Sequence, residues 1–431
     1  MREIWIPILL LCSVISATAQ SMADVFASLP QVAEVKVLES STFPEKYELK
    51  FVQPIDHHNP QSGTFTQRVV VGNIHPDSAS VVVCQGYGAG FAYRKGYRDE
   101  ISALFNTNDI VVEHRYFLES TPYPGVPYSK VNWEFLTGEQ EAEDLHSIVT
   151  ALKNVYHGKW ISTGISKGGQ NTMIYRAYFP DDVDFSVPYV GPVCSAVEDG
   201  RHEPFISGYC GSAEDRKKVL EFQKEILKNR EIFEPMLDSL ARADSLEFNI
   251  PIDEVLDYCV LEFPFAFWQW GTRVASIPAE GVSADKKFEY LMKVAGADYF
   301  VKECDTTPFY VQAAKELGYY GYDTRPLKKW LHVKSTKGYL KRLFLPEGCD
   351  FEFDSYLYDK VSGFIKTTDA RMLFIYGQYD PWSSVMPADP HHENIRFFIH
   401  PGGSHRARIN TFDDTVKEEI IGILSEWMSS H

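Results

Sequence analysis

Three side chains that could together cleave an acyl bond are spread widely along the sequence. Ser166 is the central residue of a Gly-x-Ser-x-Gly sequence between a short apolar run and a helical pattern, which is typical of a strand, a sharp turn and a helix. Asp380 follows the apolar run 372–376. His405 follows the run 395–399 across a glycine-rich loop. In such a triad the carboxylate orients the histidine and the histidine activates the serine, which then transfers an acyl group to water.

A triad mechanism gives each side chain a separate role. His405 removes the hydroxyl proton of Ser166 during attack and returns it to the leaving group, while Asp380 orients the imidazole and stabilises its charged form. His400 is the alternative base. Because His400 continues the predicted strand whereas His405 lies on the loop after it, His405 is the preferred assignment.

The negative charge that develops on the substrate carbonyl oxygen needs hydrogen-bond donors. The predicted donors are the backbone amide of Lys167, directly after the nucleophile, and that of Tyr87, in a glycine-rich loop after the buried run 80–84. This loop lacks the glycine spacing and the Gly-Lys-Ser/Thr sequence of nucleotide sites. The adjacent histidines 57–58 and 391–392 lack the spacing of a zinc site, so we predict neither cofactor nor metal.

The elements that position these side chains alternate between buried strands and amphipathic helices. Apolar runs at 80–84 and 110–112 are followed by a helical pattern over 139–156 and then by the strand that precedes the nucleophile. This alternation predicts a parallel, doubly wound sheet, and the order serine, aspartate, histidine is that of the α/β-hydrolase fold. We predict an antiparallel strand pair at one edge of the sheet, formed by 47–51 and 64–72.

A long, mainly helical segment interrupts this alternation. We divide the chain into a signal peptide, 1–19, a first α/β-hydrolase part, 20–195, an inserted helical cap, 196–360, and a second hydrolase part, 361–431. The strand predicted over 185–190 contains Pro188 and is therefore expected near a sheet edge or at a strand end.

Six cysteines remain once Cys12 is removed with the signal peptide. Disulfides form in exported proteins, so we expect bridges that staple the cap among the cysteines around the middle region, Cys194, Cys210, Cys259 and Cys304. Cys84 lies in an apolar strand and is expected to be a buried free thiol.

The charge and the N-terminus indicate where the protein works and on what. Its 431 residues carry a formal net charge of -17, which argues against nucleic acid and anionic membrane surfaces as partners. The apolar run 4–15 and the small residues Ala17-Thr18-Ala19 that follow it predict a secretory signal cleaved after Ala19, and hence a periplasmic or extracellular protein. Lipid attachment at Cys12 is the alternative, but Leu11 is too bulky for the preceding position. No later run is long enough to span a membrane. The oligomeric state is left open.

Two stretches around the elbow, 163–169 (Thr-Gly-Ile-Ser-Lys-Gly-Gly) and 178–184 (Tyr-Phe-Pro-Asp-Asp-Val-Asp), resemble serine peptidase family 37, the prolyl tri/tetrapeptidyl aminopeptidases. Further segments resemble the related prolyl carboxypeptidase and dipeptidyl-peptidase family, namely 51–60, 64–68, 113–116, 119–122 and 380–383. The resemblance implies an α/β-hydrolase fold with a serine triad, and a serine exopeptidase that releases short peptides from free N-termini, tripeptides above all, with a preference for proline. In the cap only Leu261-Glu262-Phe263-Pro264 is similar.

The resemblance also suggests which residues bind the substrate. It places Trp382 against the pocket for proline, whose flat ring suits an aromatic wall, and core packing is the alternative. An aminopeptidase must hold a free α-ammonium group. Glu262 is the first candidate because it is a lone carboxylate in the apolar run 259–270, although it could pair with Arg273 for structural reasons. Glu113 is the second candidate.

Two other functions are compatible with the same elbow. A carboxylesterase or lipase would use the identical triad on an ester. A catalytically inactive binding protein could keep the scaffold, but the intact set of triad residues disfavours it. The resemblance to the prolyl aminopeptidases makes peptides the predicted substrates, with an ester as the alternative.

Overall fold

The computed structural model describes residues 21–430, and the predicted signal peptide and its cleavage site lie outside these described residues. The described residues contain nine strands, β1 (Val32–Leu38), β2 (Glu45–Pro54), β3 (Thr64–Asn73), β4 (Ser80–Cys84), β5 (Asn108–Val112), β6 (Trp160–Ile165), β7 (Phe185–Tyr189), β8 (Arg371–Gly377) and β9 (Ile395–His400). They form one sheet in the order β1-β2-β3-β5-β4-β6-β7-β8-β9. Pairing is antiparallel from β1 to β5 and parallel from β5 to β9, which confirms the predicted α/β-hydrolase fold.

The same residues form thirteen α-helices, α1 (Met22–Ala27), α2 (Glu100–Phe105), α3 (Gly138–Leu152), α4 (Lys167–Tyr178), α5 (His202–Gly208), α6 (Ala213–Lys228), α7 (Arg230–Ala243), α8 (Ile252–Gln269), α9 (Ala284–Val294), α10 (Thr307–Gln312), α11 (Tyr339–Phe344), α12 (Tyr356–Thr367) and α13 (Asp414–Ser429). Helices α1, α3, α4 and α12 cover one face of the sheet, and α2 and α13 cover the other. Successive strand residues point to opposite faces, so Val82 packs in the first layer while Val81 and Val83 pack in the second.

The structure changes one prediction about the sheet and agrees with another. The pair β2 and β3 is antiparallel as predicted, but β1 pairs with β2 and is the edge strand instead. Every β1 side chain is exposed or half-buried, and Val37 is 70% exposed, as expected of a strand at the sheet edge. Strand β7 is internal, between β6 and β8. Pro188 is its last residue but one and lies where the pairing with β8 is interrupted between Ser186 and Tyr189, which matches the predicted strand-end position.

Helices α5 to α11 surround an apolar cluster of their own, separate from the two clusters on the sheet. This helical layer lies within the segment predicted as the cap, 196–360. The predicted end at residue 360 falls inside α12. Leu357, Val361 and Ile365 of that helix are buried in the layer that covers the sheet. Helix α12 therefore belongs with the hydrolase part, and the cap ends before it.

The cysteines are all unpaired in the part of the chain that the structure describes. Cys84 is a buried free thiol, as predicted, and burial raises its pKa. The disulfides expected in the cap are not formed, since Cys194, Cys210 and Cys259 are separately buried and Cys304 is half-buried as a free thiol. A buried thiol packs as a small apolar side chain, which is the role these residues have here. From residue 21 to 430, no helix combines the length and the apolarity needed to cross a lipid bilayer.

Candidate active site

The predicted nucleophile lies at a strained turn between β6 and α4. Ser166 has φ 60° and ψ −122°, a conformation that residues with a side chain rarely adopt and that costs roughly 1 to 3 kcal/mol. Hydrogen bonds on both sides hold it: its amide donates to the carbonyl of Tyr189 at 2.9 Å, and its carbonyl accepts from the amide of Gln170 at 2.9 Å. A side chain on Gly164 would come within 2.2 Å of the Gly168 carbonyl oxygen, so this position must be glycine.

Asp380 and His405 form a hydrogen-bonded pair at the carboxyl ends of β8 and β9. His405 Nδ1 lies 2.7 Å from Asp380 Oδ2, and both residues are buried. The backbone adds support, because the Asp380 carboxylate accepts from the Trp382 amide at 3.2 Å and the His405 amide donates to the Gln269 carbonyl at 2.9 Å. A proton on Nδ1 leaves Nε2 as the basic nitrogen, and within residues 21–430 His405 Nε2 has no hydrogen-bond partner. It is available to accept a proton.

His400, the alternative base, lies elsewhere. Its Nε2 is 2.7 Å from the carbonyl oxygen of Thr411, and its ring packs edge-on against Phe412. The carboxylate of Asp380 is taken by His405. The geometry therefore favours His405 as the triad histidine.

The two predicted oxyanion donors belong to segments in direct contact. A Cβ atom on Gly86 would come within 2.5 Å of Lys167 Cβ and 2.9 Å of the Gly168 amide, so the loop after β4 packs closely on the first turn of α4. In the described part of the chain the amides of Lys167 and Tyr87 donate no hydrogen bond. Free amides on both sides of a nucleophile are what an oxyanion hole requires.

A cavity of about 250 Å³ opens beside the nucleophile, between the sheet and the cap. Three predicted residues, Tyr87, Trp382 and Glu262, line it together with Ser166. The other lining residues are mainly aromatic or small, Ala266, Gln269, Trp270, Val294, Ala295, Gly296, Tyr299, Thr306, Phe309, Tyr310, Tyr319 and Tyr320. His405 adjoins this wall, because its ring lies 5.9 Å from that of Trp270.

Trp382 serves both as packing and as cavity wall. It is 8% exposed, and its ring lies edge-on to Phe265 at 5.2 Å and to Tyr320 at 5.4 Å. It also lines the cavity that contains the nucleophile. Trp382 therefore packs in the core and also lines the cavity, and its contact with a substrate proline stays a prediction.

Glu262 is a buried carboxylate at the cap side of this cavity. Its Oε2 accepts hydrogen bonds from the hydroxyls of Tyr320 at 2.9 Å and Tyr322 at 2.8 Å. Burial raises the pKa of Glu262 to about 8, although the two tyrosine hydrogen bonds act in the opposite direction. The expected alternative, a pair with Arg273, is not formed, and within residues 21–430 Glu262 has no ion-pair partner.

Glu113, the second candidate for amine binding, does not line this cavity. Its carboxylate is buried against the guanidinium of Arg68. It also accepts hydrogen bonds from the Ala89 amide at 2.7 Å and from the Ser120 hydroxyl at 2.8 Å. These contacts tie Glu113 to the loop after β4, so its placement favours Glu262 over Glu113 as the amine-binding candidate.

Sequence reasoning missed the tyrosines that surround Glu262. Tyr319, Tyr320 and Tyr322 follow one another closely in the sequence, and the Tyr299 hydroxyl is hydrogen-bonded to those of Tyr319 and Tyr320. The three tyrosines lie in the irregular segment between α10 and α11 whereas Glu262 lies on α8, so no local sequence pattern connects them. Over residues 21–430, no group of three or more metal-ligating side chains is placed to hold a metal ion.

Comparisons with known proteins agree with this site. A sequence model for the family described as PS-10 peptidase S37 matches residues 17–428. The chain is 28% identical over 419 residues to a prolyl tri/tetrapeptidyl aminopeptidase of Streptomyces mobaraensis, covering 91% of this chain and 84% of that protein. It is 22% identical to a probable serine protease EDA2 of Arabidopsis thaliana, covering 86% and 82%.

Among solved structures, a proline iminopeptidase of Mycobacterium smegmatis aligns over 88% of this chain and 98% of its own, with a TM-score of 0.37 and 12% identity. That distant likeness adds nothing to the assignment, which depends on the match of the family model. Because the model spans the chain from residue 17 to residue 428, through the elbow and the aspartate and histidine segments, the chain belongs to peptidase family S37 and is a serine peptidase.

Proposed function

We propose that this protein is an exported serine aminopeptidase that releases short peptides, mainly tripeptides that end in proline, from free N-termini. The single observation that carries the proposal is Glu262, a buried carboxylate that has no paired cation among residues 21–430 and lines the same cavity as Ser166. A carboxylate removed from water without a partner is costly. The α-ammonium group of a peptide would supply the missing cation.

The chemistry at the other end of the cavity follows from the triad. His405 Nε2 takes the hydroxyl proton of Ser166 as Oγ attacks the scissile carbonyl, and the resulting oxyanion accepts hydrogen bonds from the amides of Lys167 and Tyr87. Collapse of this intermediate breaks the C–N bond, and His405 gives the proton to the leaving amine. The N-terminal peptide is then an ester of Ser166, which water hydrolyses by the same steps with His405 as base.

The distance from the amine site to the nucleophile would set the length of the released peptide. If Glu262 holds the α-ammonium group, only a peptide of one particular length brings its carbonyl carbon to Ser166. The mainly aromatic walls of the cavity suit the flat proline ring, and Trp382 is the wall residue proposed to contact it. The name of the Streptomyces mobaraensis relative, prolyl tri/tetrapeptidyl aminopeptidase, supports a preference for proline and a released peptide of three or four residues.

Export is proposed from the sequence alone. The apolar N-terminal run and the small residues before Ala19 form the pattern of a secretory signal. Analysis of the N-terminus of the secreted protein tests this, with Gln20 as the expected first residue.

A fluorophosphonate probe followed by substrate comparison tests the proposed activity. We expect the probe to label the wild-type protein and not Ser166→Ala, because the probe phosphorus reacts with the activated hydroxyl. A peptide amide with a free N-terminus should then be cleaved far faster than a fatty-acid ester. Faster cleavage of the ester would make the protein a carboxylesterase or lipase, and an unlabelled wild type would contradict any serine hydrolase activity.

A further inference from the structure

The side chain of Lys167 has a position that its backbone role does not explain. The amide of Lys167 is the proposed oxyanion donor, but its side chain runs into the protein and is only 2% exposed. Within residues 21–430, the Nζ atom has no hydrogen-bond partner. Burying an ammonium group in this way is costly, so its presence directly after the nucleophile calls for a function.

Two aromatic rings lie next to this ammonium group. The Nζ atom is 5.9 Å from the centre of the Tyr87 ring and 5.7 Å from the centre of the Phe117 ring. The two rings pack edge-to-face at 5.6 Å. These distances are within the range in which a cation is attracted to an aromatic ring, and the attraction is stronger away from water. The stem of Lys167 also packs against Gly86, the residue before Tyr87.

Several charged or titratable groups face the Lys167 side chain from neighbouring elements. Glu141 on α3 and Glu316, on the turn after α10, favour its charged form. After β5, the positive charges of Lys167 and Arg115 both disfavour the protonated form of His114. Burial lowers the pKa of Lys167 to about 7 against the effect of the two carboxylates. Burial also raises the pKa of Glu141 and of Glu316, and it lowers the pKa of His114. Arg115 is paired with Asp144.

We propose that the ammonium group of Lys167 is a positioning group for the oxyanion hole, holding the ring of Tyr87 so that the Tyr87 amide stays directed at the substrate oxyanion. The same residue then contributes twice, with its own amide as one donor and with its side chain as the support of the other. The Tyr87 ring also contacts Phe309 of the cap at 5.5 Å, so without the ammonium group it would be held by the uncharged rings of Phe117 and Phe309. The proposal rests on the proposed function only in taking Ser166 as the nucleophile.

The rate of labelling by a fluorophosphonate probe tests this role without a peptide substrate. Lys167→Met keeps an unbranched apolar stem and removes the charge, and we expect labelling at pH 6 to slow by roughly 10- to 100-fold, less than the loss of a whole oxyanion donor. The ratio of wild-type to variant rates should approach one at pH 9, because wild-type Lys167 has then lost its proton. Lys153→Met, at an exposed lysine, is the control and should label at the wild-type rate.

A second variant keeps the test independent of any folding defect in the first. Tyr87→Leu removes the ring but keeps the amide, and its labelling should slow to a similar degree. Adding Lys167→Met to Tyr87→Leu should cause no further loss, because the ring on which the charge acts is already absent. Equal rates for wild type and Lys167→Met at pH 6, or independent losses in the double variant, would overturn the positioning role. A wild type that the probe does not label would overturn the proposed function as well.

Discussion

Replacing Glu262 by glutamine should stabilise the folded protein and weaken its binding of free N-termini at the same time. Glutamine keeps an oxygen that can accept the hydrogen bonds of Tyr320 and Tyr322, which are 2.9 and 2.8 Å long. It removes a carboxyl group whose pKa burial raises from 4.5 to about 8. A residue retained at a cost to stability is expected where function requires it.

The size and pH dependence of the stabilisation follow from this pKa. Because the folded state holds the proton more tightly than the unfolded chain, the contribution of Glu262 to stability is fully present below pH 4.5 and is lost as the pH rises through about 8. At 1.36 kcal/mol for each pKa unit, the rise from 4.5 to about 8 corresponds to roughly 5 kcal/mol of unfolding free energy, which is an upper limit. Local relaxation around a charged Glu262 reduces this figure. We therefore expect the free energy of unfolding of Glu262→Gln to exceed that of the wild type by about 2 to 5 kcal/mol at pH 8.5 and by about zero at pH 4.5.

Urea unfolding at these two pH values measures the free energy of unfolding, and peptide cleavage measures the binding defect. KM for a peptide with a free N-terminus should rise by about tenfold or more, since the ammonium group loses its partner. Cleavage of the N-acetylated peptide should stay as poor as before. Glu280→Gln, at an exposed residue of the cap, is the control for both measurements. The reasoning is refuted if the stability difference does not depend on pH, or if the variant cleaves free and acetylated peptides in the wild-type ratio.

Three further outcomes follow from the site. Ser166→Ala, His405→Ala and Asp380→Asn should each lower kcat by about 10⁴-fold or more while thermal unfolding stays close to wild type, because the triad acts as one unit. His400→Ala should stay active in the same assay, and an inactive His400→Ala beside an active His405→Ala would reverse the assignment of the base. Trp382→Ala should reduce the preference for proline over alanine before the cleaved bond more than it lowers the melting temperature, and an equal loss on both substrates would assign Trp382 to packing alone.

The elbow was predictable from the sequence because its backbone constrains the residue types directly. The turn at Ser166 needs a neighbour without a side chain, and Gly164 is such a residue since any Cβ there would meet a carbonyl oxygen at 2.2 Å. The acid and the histidine were predictable for a related reason. The loops after β8 and β9 lie at the same edge of the sheet, so Asp380 and His405 come together although 25 residues separate them.

The features that were not predicted depend on contacts between distant segments. No local pattern shows that Glu113 is paired with Arg68, and the sequence therefore left it open as a substrate ligand. The surroundings of Glu262 were not predictable for the same reason, because the tyrosines that donate hydrogen bonds to it, Tyr320 and Tyr322, come from a segment about 60 residues later. The apolar residues of β1 are at most half-buried, and Val37 is 70% exposed, so burial does not reveal this strand and its pairing with β2 identifies it as the edge.

The most direct test of the proposed function is the identity of the first product released from one peptide in two forms. A peptide with proline at its third position is incubated with the wild-type protein, once with a free N-terminus and once acetylated, and the products are identified by mass spectrometry. Binding of the α-ammonium group at Glu262 predicts that the free form yields its N-terminal tripeptide and that the acetylated form is cleaved at least about tenfold more slowly. Cleavage of both forms at equal rates, or cuts that ignore the distance from the N-terminus, would contradict an aminopeptidase.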